Sequence, residues 1–172
     1  DAGADANKQD KGGWTARTAL MWAAQNGGEH AAGMMRLLVD AEADLDAKNK
    51  SGKTALDLAR GRDDAKAMTL LAAQAALFDA SDADGVRAAL EKGASVHARR
   101  DGSTALMLSA ERGGEHAAGM MRLLLDAGAD ANKQNKDGRT ALMLTAEHGG
   151  EHGAGMMRLL VDAGADVNKQ SK

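Results

Sequence analysis

Cysteine, proline and tyrosine are absent from this chain of 172 residues, and its aromatic side chains amount to two Trp and one Phe. The lack of cysteine removes disulfides, thiolate metal ligands and a Cys nucleophile, and fits a reducing compartment. With so little aromatic mass, a core must be assembled from Ala, Leu and Met in thin, closely packed layers, which favours small helices over sandwiches. Proline supplies no turns, so the 21 glycines must, through their freedom at positive φ. No apolar run reaches about 18 residues, and no basic segment leads into a short apolar one. Neither a membrane span nor a signal peptide is expected, and the default location is cytoplasmic. A net charge of -3 and a pI near 6.0 provide no overall field for nucleic acid or anionic lipid, so any basic contact must be a local patch. At 44% hydrophobic residues the chain can bury a real core, so size does not exclude an enzyme.

What the chain does have is repetition. GGEHAAGMMRLL at 27–38 recurs unchanged at 113–124 and returns as GGEHGAGMMRLL at 149–160. Thr-Ala-Leu begins at Thr18, Thr54, Thr104 and Thr140, spaced by 36, 50 and 36 residues. Leu20, Ala23 and Ala24 fall at i, i+3 and i+4, as do Met34, Leu37 and Leu38, so each unit holds two short amphipathic helices separated by a glycine pair. Asp-Ala-Gly-Ala-Asp closes the second helix, with Gly128 or Gly164 suited to the left-handed position after a C-terminus. In the first unit Glu42 replaces that glycine, at a cost of roughly 1 kcal/mol.

Helix, tight turn, helix and an extended polar loop, carrying T-A-L-M-L-x-A-E-x-G and L-L-x-D-A-G-A-D-x-N in register, resembles the ankyrin repeat. The resemblance covers nearly the whole chain and implies an all-α, ankyrin-like helical repeat solenoid. Three departures stand out. Ala19, Ala105 and Ala141 replace the signature proline, and Met21, Met107 and Met143 its histidine. The period is three residues longer than the family's, about 33, with the excess in Gly-Glu-His-x-Ala-Gly between the helices. The central interval of 50 residues is too short for two units.

Across that interval, residues 54–60 with A-K-A-M-T-L-L-A-A resemble a C-terminal capping repeat, and residues 75–94 an N-terminal one. This divides the chain into 1–73 and 74–172. No Gly or Pro occurs between Asp64 and Asp84, so either a very tight helical hairpin or one continuous helix joins the halves. The order resembles a permuted one, since 75–172 followed by 1–73 would read cap, repeats, cap. Caps of one five-layer stack, at about 10 Å per layer, lie roughly 40 Å apart, while one or two linking residues reach about 7 Å. The halves therefore either stack in chain order over a shortened junction or point in different directions. Both arrangements leave apolar faces at either end, which implies head-to-tail self-association or truncation from a longer array.

Other motifs weaken on inspection. His148-Gly-Gly-Glu-His152 fits the H-x-x-E-H metalloprotease pattern, but glycine pairs break the helix that would align the ligands. Glu and His near the start of the outer helix can instead satisfy free backbone donors. Residues 80–91 mimic a calcium loop through Asp82, Asp84, Gly85 and Glu91, but Ala80 stands at the first ligand position and Asp84 suits an N-cap. The Met pairs read as adaptable core filler and Trp22 as packing. Trp14, in a loop insertion of Trp-Thr-Ala, reads as a binding residue.

In ankyrin-like proteins the loop tips and the exposed face of the first helix form a concave binding surface. Carried across by register, that implies Lys50, Ser51 and Lys53 on one loop and Arg100, Asp101 and Ser103 on the next. Lys136, Asp137 and Arg139 follow on a third. Gln25, Asn26, Glu111, Arg112, Glu147 and His148 extend the surface along the helices. Loop cations at Lys8, Lys11, Lys48, Lys50, Arg99, Arg100, Lys133, Lys136, Lys169 and Lys172 form a comb that is either a solvated edge or a site for an acidic protein segment. No Ser-His-Asp set, phosphate-cradling loop or convergent carboxylate pair emerges. The expected function is thus a protein–protein interaction scaffold, not an enzyme, without cofactor, metal, nucleic-acid or membrane partner. A self-assembling homo-oligomeric solenoid is the alternative.

Overall fold

A short helix must satisfy its first amide groups before it can pack, and threonine does so here. Thr54, Thr104 and Thr140 accept hydrogen bonds from the amides of Asp57, Met107 and Met143, and Thr18 from that of Met21. The computed structural model describes residues 5–10, 18–26 and 28–171, apart from the side chain of Glu29. Among these, the helices in chain order are α1 (Ala19–Asn26), α2 (Ala31–Asp40), α3 (Ala55–Arg60), α4 (Ala65–Asp79) and α5 (Ala83–Glu91). They continue with α6 (Ala105–Arg112), α7 (Ala117–Asp126), α8 (Ala141–His148) and α9 (Gly153–Asp162). The only β pairing among the described residues is two isolated bridges, Asp44 with Arg99 and Arg100 with Ser103.

The helices stack in chain order. In the inner row α1 packs on α3 and α6 on α8; in the outer row α2 packs on α4, α5 on α7 and α7 on α9. Between the halves lies one continuous 15-residue helix, α4, not a hairpin. The boundary expected between 73 and 74 falls inside it. Its first turns lie beside α2, across a groove lined by Ala32, Gly33, Lys66 and Thr69. Its C-terminal end meets α6, whose Arg112 donates to the Phe78 and Ala80 carbonyls at 2.7 and 2.5 Å. One rod thus serves as outer helix to α3 and inner helix to α5. Ala67, Leu70, Leu71, Ala73, Gln74, Leu77 and Phe78 are all buried, leaving only a narrow exposed stripe.

The glycine pair between helices has two separate jobs. Gly113 lies so close to the next unit that a Cβ there would sit 2.6 Å from the His148 carbonyl oxygen. Gly28, Gly114 and Gly150 take positive φ in open space, turning the chain into a short turn before the outer helix. His116 and His152, at the N-caps of α7 and α9, make no capping bond through their side chains. The turn carbonyls do that work instead: Ala117 donates to Gly114 and Gly153 to Gly150. This corrects the expected capping role of Glu-His. The N-cap of α5 likewise moves to Asp82, which accepts from Gly85 at 2.8 Å; Asp84 pairs with Arg87 within the first turn.

Each unit has two apolar faces, one toward the preceding unit and one toward the following unit. Leu20, Met35 and Val39 face forward and are fully buried. Met34 and Leu37 face backward and are 41% and 72% exposed, whereas Met120 and Met156 at the same register are buried. Met34 is therefore not core filler, and Trp22, 42% exposed, forms the wall of an open apolar groove with Ala19, Met34 and Leu37.

Candidate functional site

The loops form a lateral row joined by asparagine. Asn132 donates to the Gly164 carbonyl at 2.9 Å and accepts from the Asp166 amide at 2.7 Å; Asn7 bonds the Glu42 carbonyl and Asp44 amide in the same way, at 3.0 and 2.6 Å. Gln9 and Gln134 add bonds to the Lys48 and Gln170 carbonyls. Because α4 replaces a loop, the loop before α3 and the loop before α6 become neighbours: the Leu45 amide donates to the Arg99 carbonyl at 2.9 Å.

Glu42 holds this junction. It occupies the left-handed region at φ 65, as the replaced glycine implies. Its carboxylate receives Arg99 at 2.8 Å and Lys133 at 2.5 Å, joining three consecutive loops, while Arg99 also donates to the Gly102 and Gln134 carbonyls. Burial would raise the Glu42 pKa, but the bonds from Lys133 and Arg99 outweigh it and hold the carboxyl below its ordinary range. Nearby, Arg100 lies 5.0 Å from the Phe78 ring centroid and pairs with Asp79 at 2.5 Å and Asp46 at 3.2 Å. Burial pushes the Asp46 carboxyl upward, with crowding from Asp101, Asp44 and Asp79 adding to it against the opposing pull of Arg100.

The loop tips are built by asparagines that sequence reasoning passed over. Asn49 Oδ1 accepts from the Ser51 and Lys53 amides, and Asn135 Oδ1 from those of Asp137 and Arg139, closing each tip on itself. The recurring Asn-Lys-x-Gly of 49–52 and 135–138 was the available signal. Lys50, Ser51 and Lys53 are exposed on the first tip, and Lys136 and Asp137 on the last. The Lys136 stem crosses Gly102 at φ 82, where a Cβ would meet it at 2.7 Å. Asp101 is exposed and Ser103 half-buried on the middle tip.

Along the helix ends, Asn26, Glu111 and His148 are exposed, and Gln25 is half-buried with its Oε1 enclosed. Arg139 is ion-paired with Glu147, and His148 Nε2 lies 3.7 Å from the same carboxylate. Arg100 and Arg112 are engaged in the internal bonds described above. Trp14 lies outside the described residues. Within the cation comb, Arg99, Arg100 and Lys133 meet carboxylates in the row, while Lys48 and Lys136 are exposed.

Among the described residues no group of three or more His, Asp or Glu could hold a metal ion, and no helix is long and apolar enough to cross a membrane. The family model for ankyrin repeats (three copies) matches residues 2–82 and 72–171. No curated protein sequence matches the chain.

Proposed function

Since the chain belongs to the ankyrin repeat family, whose repeats are in general protein–protein interaction modules, we propose that it is a scaffold binding a partner protein through its loop tips and concave helix face. The supporting observation is the pair of asparagine-closed tips, which present Lys50, Ser51, Lys53, Lys136 and Asp137 on backbone already ordered before binding. The concave surface continues over Asn26, Glu111, Glu147 and His148, where the copies differ amid near-constant flanks. Lysines at the tips favour an acidic segment in the partner. The test is capture of proteins from lysate by the intact chain and by a Lys50→Glu, Lys53→Glu, Lys136→Glu variant. A partner that the variant loses supports this reading; one retained in full removes the tips from it.

A further inference from the structure

Where α4 passes from the outer row to become the inner partner of α5, the stack departs from its repeat. A cavity of about 380 Å³ lies there, between α2, α4 and residues 90–97. Leu70 and Gln74, one turn apart on α4, form one wall, and Arg36 and Val39 on α2 form another. Leu90 and Val96 extend its apolar part. The lining runs from Arg36 to Ala127, so the cavity is bounded on both sides by elements in the middle of the chain. Its size is that of a small-molecule site.

Gln74 is the unexpected residue in this wall. It is 1% exposed, and the Ser95 amide donates to its Oε1 at 3.0 Å. That bond fixes the orientation of the carboxamide and turns Nε2 away from Ser95. Among the described residues Nε2 has no acceptor. Unlike Gln25 Oε1 it is not sealed by its neighbours, so it opens onto the cavity that Gln74 lines. A buried donor without a partner is costly, and an apolar side chain at this position would avoid the cost. The amide is explained if something bound in the cavity accepts from it.

The surrounding charges select an anion. Arg36 reaches from α2 to Gly93, where a Cβ would meet its Nη2 at 2.8 Å. It lines both this cavity and an adjoining groove that carries Lys66 and Lys92. Among the described residues none of these three cations is ion-paired. Asp40 is the one carboxylate lining either space, and it is exposed to solvent. The regular repeat gives an internal comparison. Between α7 and α9 the register equivalents Arg122, Leu125 and Asp126 face Leu159 and Asp162, so a single cation meets two carboxylates and no buried amide is present.

We propose that the cavity binds a small organic carboxylate with an aliphatic body. Gln74 Nε2 and the Arg36 guanidinium donate to the carboxylate, and Leu70, Leu90 and Val96 cover the body. The site shares no residue with the loop tips or helix ends assigned to a protein partner, so either reading can fail without the other.

Titration of the isotope-labelled intact chain with hexanoate, followed by NMR on the Gln74 side-chain amide and the Ser95 backbone amide, tests the site. Hexanoate should shift both resonances saturably, and hexanol should bind about tenfold more weakly. Arg36→Gln, at an exposed position, should weaken hexanoate binding about tenfold. Gln74→Met, which removes the donor at similar volume, should do the same, whereas Arg122→Gln should leave binding unchanged. A peptide ending in leucine that binds more tightly than hexanoate supports the site and assigns the carboxylate to a chain terminus; the reverse order supports it and assigns a free acid. No saturable shift with either carboxylate, hexanol binding as well as hexanoate, or an equal loss in Arg36→Gln and Arg122→Gln overturns the proposal.

Discussion

At Glu42 two effects of similar size oppose each other. The left-handed backbone costs about 1 kcal/mol, while the carboxylate bonds Arg99 and Lys133 at a site where its side chain is 28% exposed. Charge-assisted bonds of this kind outweigh the strain. Glu42→Gln should lower stability by about 1–2 kcal/mol at neutral pH, discounted for the partial exposure of Lys133. Because the folded-state pKa of Glu42 is depressed, its contribution is present above the unfolded-state pKa and disappears as the pH falls through the folded one. Urea denaturation of both proteins should therefore show a gap at neutral pH that closes in acid. A gap independent of pH would mean that the ion pairs contribute nothing. The strained position is legible in the sequence from the missing glycine; Arg99 and Lys133, distant along the chain, are not, because only stacking of the loops brings them to it.

Among the elements, α4 departs furthest from the repeat. Its sequence, without Gly or Pro, supports a long helix, but propensity alone does not separate a continuous rod from a hairpin. Packing decides it, since α4 buries side chains against α2 and α3 near one end and α5 and α6 near the other. Ala72, exposed on the narrow solvent stripe, allows the backbone to be tested without disturbing the core. Ala72→Gly should cost about 1 kcal/mol and Ala72→Pro about 3 kcal/mol or more, measured by urea denaturation. A connection that tolerated proline would not be helical through this point. Arg112 shows the same dependence on packing: register assigns it to the concave surface, and in the fold its guanidinium closes the end of α4.

For the molecule as a whole, stability in a stack comes from the faces shared between neighbours. Among the described residues, helices α6 and α7 are covered on both sides, whereas α1 and α2 are covered only on the forward side. Amide hydrogen exchange should therefore persist longest in α6 and α7 and be lost first in α1 and α2. Uniform protection across the stack would show a single cooperative unit instead.

The letters alone determined whatever is closed within one unit: threonine caps, the glycines at positive φ, the two helices per period and the family to which they belong. These rest on contacts between residues a few positions apart, which recur whenever the sequence recurs. Tertiary structure alone decided which arginines are spent on internal carboxylates, that a helix takes the place of a loop, and which methionines are buried. Met34 and Met120 lie in identical twelve-residue stretches, yet one is exposed and the other enclosed. Their own segments do not differ, so the difference is made by what lies across the face: burial depends on the neighbouring unit, which the local sequence does not encode.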